Sequence, residues 1–99
     1  MPVSEAQKDI ISQHMHQLLE KRDWPKTICP SEVARALSTS ELVQLEAETW
    51  RDAMPDIRKV VWELRDRGEV EVLQKGEVTD TSLENIHGPI RVRYKREGE

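Results

Sequence analysis

IRKVVWELRDRGEVEVL, residues 57–73, is the stretch in which the spacing of apolar residues changes. Before Gly68 they recur every three or four positions, which predicts an amphipathic helix. Gly68 suits the left-handed conformation that commonly ends a helix, and Arg65 and Arg67 suit the negative end of the helix dipole. After Gly68, apolar and acidic residues alternate, which predicts a β-strand. The fold therefore passes from a helix to a strand at this glycine.

Upstream of this stretch, the pattern predicts further helices. A first helix is expected over about residues 4–22, where apolar residues share one face. A second is expected to start at Pro30, which needs no amide partner in a first helical turn, with Cys29 as its N-cap. Residues 41–49 are acidic and can add one helical turn. The third helix is expected to begin near Thr49 and to include the stretch described above.

Downstream, the chain predicts a hairpin. The dipeptide at 75–76 (Lys-Gly) is a turn signal, the polar stretch 77–87 is expected to be a loop, and alternation over 90–94 predicts a second strand. A two-stranded hairpin is not stable alone, so it must pack on the helices. The element order predicts a mainly helical α+β fold, a winged helix-turn-helix with three helices and a C-terminal β-hairpin wing, as a single domain over residues 1–99.

Composition limits the classes of partner. The 99 residues carry a formal net charge of −4, with 34% charged and 36% hydrophobic residues, which is typical of a globular domain. Nucleic-acid binders usually carry a basic surplus, so the net charge counts against strong binding but permits a local basic face. The single cysteine, an N-terminus without signal-peptide character and the absence of a long apolar run predict a cytoplasmic protein that does not enter a membrane.

The residues that could carry catalysis or bind a metal do not form a recognisable motif. Cys29 lies near a helix N-terminus but has no histidine at a motif spacing, so we interpret it as a partly buried cap residue. His14 and His16 are two positions apart and point to different helix faces, whereas metal ligands on a helix prefer a spacing of four. We therefore expect no enzyme activity, no metal site and no cofactor.

The third helix supplies the first group of candidate nucleic-acid-binding residues. Such a helix enters the major groove in winged helix-turn-helix proteins, where arginine can contact guanine and lysine can contact phosphate. Arg58, Trp62 and Arg65 form one stripe at helical spacing. The alternative is an ordinary solvated face, because acidic residues interleave with the basic ones. The candidates on this helix are Arg51, Arg58, Lys59, Trp62 and Arg65.

The wing supplies the second group. Arg91, Arg93 and Lys95 share one face of the last strand, and Lys75 lies at the hairpin turn, so these four form the best candidate surface for phosphate contacts. The alternative is internal pairing. Arg91 would then pair with a carboxylate such as Glu32, while the other basic residues would balance the glutamates at 69 and 71 on the neighbouring strand.

Surface charge and Trp62 separate two predicted functions. A continuous basic face that joins Arg58, Lys75 and Arg91 would favour DNA binding, whereas acidic residues that break this face, together with an exposed Trp62, would favour a protein partner. Trp62 lies off the core stripe, so it is either covered by the wing or exposed in a partner interface, whereas Trp24 and Trp50 are expected in the core. The first hypothesis is a DNA-binding or regulatory domain that contacts duplex DNA. The alternative is a protein-interaction or homodimerisation module of the same fold without nucleic-acid binding.

Three pieces of sequence carry a family resemblance. They are TICPSEVAR at residues 27–35, the Trp-Arg to Met-Pro segment at residues 50–55, and GPIR at residues 88–91. Together with the Ile-Arg pair at 57–58 and the turn at 74–76, they resemble a small bacterial family of domains of unknown function, the one numbered 3253, over about residues 8–95. The resemblance implies a winged-helix fold and implies no established activity.

Overall fold

The structure is a computed structural model that describes residues 3–23 and 26–95. Within these residues it is an α+β fold dominated by helices, as the sequence predicts, with one small antiparallel sheet. The elements in chain order are α1 (Glu5–Glu20), α2 (Pro30–Ala36), α3 (Thr39–Gln44), a 3-10 helix (Trp50–Ala53), α4 (Met54–Asp66), β1 (Val70–Gln74), β2 (Glu77–Val78) and β3 (Arg91–Tyr94). This order is compatible with a winged-helix-like fold.

The starts of α2 and α3 are set by capping residues. α2 begins at Pro30 with Cys29 as its N-cap, as predicted, and the backbone N–H of Cys29 donates to the Glu32 carboxylate at 2.7 Å. α3 begins after Ser38, whose backbone N–H donates to the Glu41 carboxylate at 2.8 Å. In both helices a glutamate in the first turn satisfies a backbone donor that the helix leaves open. The helical turn expected in the acidic segment is therefore present, and α3 is a fourth helix beyond the three predicted.

The predicted third helix consists of the 3-10 turn continued by α4. Pro55 lies in the first turn of α4, where its missing N–H removes no helical bond. At the other end Gly68 has a φ of +80°. Its N–H donates to the carbonyl of Arg65 at 2.9 Å, and the N–H of Glu69 donates to the carbonyl of Leu64 at 3.0 Å. This pair of bonds closes the helix and directs the chain into β1, so the predicted change of structure at Gly68 is confirmed.

The sheet has three strands rather than the predicted two. β1 lies between β2 and β3 and is antiparallel to both, with Val72 opposite Val92 in β3. Lys75 and Gly76 have φ values of 54° and 82°, which make the predicted turn a type I′ hairpin. That turn leads into β2, so the expected loop over 77–87 begins instead as a short edge strand.

Residues 79–90, here named the covering loop, follow β2 and pack against α4. Ile86 and Ile90 of this loop are buried in the main core, and Leu83 packs half-buried against it. The sequence predicted a polar connection as far as residue 87 and did not predict the burial of Ile86, because the few apolar residues there follow neither a helical nor a strand period. Ile90, predicted as a strand residue, lies just before β3. Trp62 is 6% exposed and belongs to the same core, so of its two predicted positions the covered one is correct.

Candidate nucleic-acid interface

The side chains of the predicted stripe, Arg58, Trp62 and Arg65, face the covering loop. The Arg65 Nη1 and the Trp62 Nε1 both donate to the carbonyl of Thr81, at 2.8 and 3.1 Å. The Arg58 Nη2 donates to the carbonyl of Gly88 at 3.3 Å. The Arg65 guanidinium also stacks over the Trp62 ring, with its Cζ 5.1 Å from the ring centroid. These three side chains hold the loop against α4 rather than extend from the surface.

Lys59 lies on a different side of α4, among carboxylates. It is exposed and lines a groove of about 490 Å³ together with Asp52, Asp56 and Glu46. Carboxylates beside a lysine oppose the approach of a phosphate. This side of α4 therefore resembles the solvated mixed-charge face that was the predicted alternative.

The wing carries mixed charge rather than a continuous basic surface. Arg93 donates from Nε and Nη2 to the Glu71 carboxylate at 3.2 and 3.0 Å across the strand pair. The internal pairing considered for the wing is therefore present at this position. Lys95 lines a groove of about 290 Å³ with Asp66 and Glu71, and Lys75 is exposed at the hairpin tip. A phosphate would meet both signs of charge here.

Arg91 faces the segment that leads into α2. Its Nε donates to the Thr27 hydroxyl at 2.9 Å, and its Nη2 donates to the Thr27 carbonyl at 3.1 Å. Glu32, which was predicted to pair with Arg91, is instead paired with Arg22. The Arg22 Nη1 also donates to the Thr27 carbonyl at 2.7 Å. Arg91 therefore acts on Glu32 through its field rather than through a hydrogen bond.

The pKa of Glu32 lies below its ordinary value. Partial burial acts to raise it, but the backbone N–H of Cys29, the hydrogen bond and charge of Arg22, and the charge of Arg91 together outweigh burial. A carboxylate held in its ionised form by these groups stabilises the start of α2. Glu32 therefore stabilises the N-terminal end of α2, close to Arg91.

Replacing Glu32 with glutamine should lower stability at neutral pH and weaken its dependence on pH. Because the folded-state pKa is depressed, the stabilisation is complete above the unfolded-state pKa and is lost as the pH falls through the folded-state pKa. Urea unfolding followed by circular dichroism, from about pH 7 to about pH 3, measures this. The difference between wild type and variant should shrink toward acid. Glu84→Gln, at an exposed loop position, is the control. A stability difference that stays constant with pH would contradict the role of Glu32, and so would an equal difference in Glu84→Gln.

A cationic cluster that the sequence did not predict lies between α2 and the 3-10 helix. Arg35 of α2 and Arg51 of the 3-10 helix both stack on the half-buried Trp50, with each Cζ at 4.8 and 4.9 Å from the ring centroid. We name these three residues the Trp50 clamp. Within residues 3–23 and 26–95, neither guanidinium forms a salt bridge with a carboxylate. The neighbouring Asp52 is engaged elsewhere, since it accepts from the backbone N–H of Thr49 at 3.1 Å.

The clamp brings together residues that are distant in sequence. Arg51 was predicted as a candidate, whereas Arg35 lies on another helix and Trp50 was assigned to the core. One sequence signal for the clamp was available. Arg35 lies in the last turn of α2, and no acidic residue follows it three or four positions later. The other tryptophan assigned to the core, Trp24, lies outside the described residues.

Three further features of the described residues concern a metal, the cysteine and a membrane. Among those residues, no three His, Cys, Asp or Glu side chains come together as a set that could hold a metal ion. Cys29 is half-buried, and its Sγ accepts a hydrogen bond from the Ser31 hydroxyl at 3.0 Å. None of the helices in the same residues has the length and apolar character needed to cross a membrane.

Comparison with known proteins agrees with the resemblance seen in the motifs. A search of curated proteins finds no match. A family model described as a protein of unknown function (DUF3253) matches residues 8–95. The match includes the α2 start with its Glu32 network, the Trp50 clamp and the end of the covering loop. Because it spans most of the sequence, the chain belongs to the DUF3253 family of proteins of unknown function.

Proposed function

We propose that the chain binds duplex DNA through a cationic face along α2 and the start of the 3-10 helix. The Trp50 clamp lies at the C-terminal end of α2, and Arg91 lies beside the segment that leads into its N-terminal end. The observation that carries the proposal is the clamp. Two guanidinium groups share one indole ring, and neither has a carboxylate partner among the described residues.

The clamp suits an anion with several acceptor oxygens. Stacking on an aromatic ring restricts a guanidinium while its N–H edge stays open, so less entropy is lost when an anion binds. Two cations at one ring also repel each other, and an anion placed between them relieves that repulsion. Phosphate accepts paired hydrogen bonds from arginine in this geometry. The ligand chemistry that fits the clamp is therefore a phosphate group.

The position of the clamp in the fold supports the proposal that this phosphate belongs to a duplex backbone. In helix-turn-helix proteins the first helix crosses the DNA backbone and the second presents its N-terminal end to the groove. Here α2 and α4 would take those two positions, with Arg35 in the last turn of α2 and Arg51 just ahead of α4. Both arginines would then lie level with the phosphates.

The net charge limits how tight such binding can be. With a formal charge of −4, the whole molecule opposes the approach of DNA, and the local cationic face must overcome this. We expect dissociation constants in the non-specific range, about 10⁻⁴ to 10⁻⁶ M at physiological salt. The affinity should also depend steeply on salt, because phosphate contacts release counterions.

The Arg51→Ala variant tests the clamp directly. Fluorescence anisotropy with a labelled duplex, from about 50 to about 200 mM salt, gives the slope of log affinity against log salt. Arg51→Ala and Arg35→Ala should each reduce the slope by about 0.9, the value for one phosphate contact. The matched control is Arg67→Ala, which removes the same charge beyond the far end of α4, where Arg67 pairs with Glu63 at 3.0 Å. Its slope should equal that of the wild type.

Two results would overturn the proposal. No binding at about 50 mM salt would exclude DNA as the ligand, since phosphate contacts are strongest there. Equal slopes for Arg51→Ala and Arg67→Ala would show that overall charge, not the clamp, determines binding. A protein-docking or dimerisation module would then be the remaining function, and sedimentation would test it. The burial of Trp62 removes one of the two features that would favour this alternative, and the other, acidic residues within the predicted basic face, remains.

A further inference from the structure

We infer, on the basis of the proposed function, that this protein binds the backbone of duplex DNA without reading the base sequence. Direct readout requires side chains that reach base edges from the groove-facing side of a recognition helix. In α4, the residues best suited to that task are Arg58 and Arg65. The covering loop occupies the side of α4 that carries them.

One guanidinium nitrogen of each of these side chains donates to backbone carbonyls of the loop. Arg65 donates to Thr79 as well as to Thr81, at 3.4 and 2.8 Å, and Arg58 donates to Gly88. Reading a guanine requires two parallel N–H donors from one guanidinium. Arg65 is largely enclosed, with 18% of its side chain exposed, and its contacts with the loop hold it away from the groove-facing position that base readout needs.

The covering loop is part of the core and not a detachable flap. Ile86 is 6% exposed and Ile90 2%, and both pack in the same cluster as α4. At the β1 end, the Gln74 side-chain amide donates to the carbonyl of His87. Removing the loop from α4 would expose these apolar side chains together with Trp62, so the loop stays in place when DNA binds.

The side of α4 that remains outward offers little to a base. At 3.6 residues per turn, Pro55, Lys59 and Asp66 lie opposite the buried positions 57, 61 and 64. Proline has no side-chain donor, and Asp66 is repelled by the phosphates on either side of the groove. Lys59 lies beside Asp52 and Asp56. The arginines of the clamp, at the level of the backbone, therefore dominate the contact.

Selection from a pool of random duplexes tests this inference. The full chain is mixed with duplexes that carry a randomised central segment at about 50 mM salt, and the retained DNA is sequenced. We expect enrichment of any short sequence to stay below about threefold, because phosphate contacts carry no base information. Enrichment of one motif by about tenfold or more would overturn the inference and leave the proposed function standing. If no duplex is retained at all, the proposed function itself fails.

A matched pair of arginine variants tests the covered face separately. Arg58→Gln should leave DNA affinity within about twofold of the wild type, whereas Arg51→Ala should weaken binding equally for all sequences. Circular dichroism and urea unfolding confirm that Arg58→Gln is folded before binding is measured. A loss of affinity in Arg58→Gln as large as that in Arg51→Ala would place α4 in the interface and overturn the inference.

Discussion

Replacing Trp62 with alanine should lower the free energy of unfolding by about 3–5 kcal/mol, the range for truncating a buried aromatic side chain. The indole is 6% exposed and belongs to the main core, and its Nε1 donates to the Thr81 carbonyl at 3.1 Å. The variant loses the packing, leaves that carbonyl without this donor and removes the ring on which Arg65 stacks. Because small domains have about 5–15 kcal/mol in total, we expect it to be only marginally stable. Urea unfolding followed by circular dichroism measures the loss.

Trp62→Phe separates the packing from the hydrogen bond. Phenylalanine keeps most of the apolar ring but has no N–H for the Thr81 carbonyl. Because Arg65 still donates to that carbonyl, the expected loss is smaller, about 0.5–1.5 kcal/mol. If Trp62→Ala lowers the free energy of unfolding by less than the range expected for Trp62→Phe, the indole does not hold the covering loop to α4. The burial described for Trp62 is then wrong.

Replacing Ile28 with alanine should lower the free energy of unfolding by about 2–5 kcal/mol. Ile28 is 0% exposed and lies where the strand-like segment before α2 meets β3. Its backbone N–H and carbonyl each bond to Val92 at 2.8 Å, and truncation of the side chain leaves a cavity directly beneath this bridge. Hydrogen exchange at the Val92 amide should accelerate along with the loss of stability.

Val43→Ala is the matched control for Ile28→Ala. Val43 is 70% exposed on α3, so its truncation should change stability by no more than about 0.5 kcal/mol. Equal losses in the two variants would contradict the assignment of Ile28 to the core, and an unchanged exchange rate at Val92 would contradict the bridge.

Local signals account for the part of the fold that the sequence predicted. The period change at Gly68 marks the end of α4 because a glycine there can adopt the positive φ that the helix end requires. Pro30 marks the start of α2 because proline restricts the chain just ahead of it. Lys75-Gly76 marks the hairpin because both residues adopt a left-handed conformation. In each case, one or two residues determine the local backbone.

Non-local contacts account for what the sequence did not predict. β2 is two residues long, which is too short to show alternation. The burial of Trp62 depends on a loop about twenty residues further along the chain, and the stacking of Arg35 on Trp50 depends on how α2 meets the 3-10 helix. Helical spacing correctly placed Arg58 and Arg65 on one stripe. It could not show that backbone carbonyls of the covering loop would engage both side chains.

The two edge strands of the sheet also bear on self-association. At one edge, β2 is only two residues long. At the other edge, the backbone of Val92 in β3 is already paired with Ile28. Open strand edges act as templates on which a strand from another molecule can add, and this addition is a common route to fibrils. Short or occupied edges remove most of that template. The folded protein should therefore resist fibril growth at high concentration, so that any fibrils form from molecules that have first unfolded.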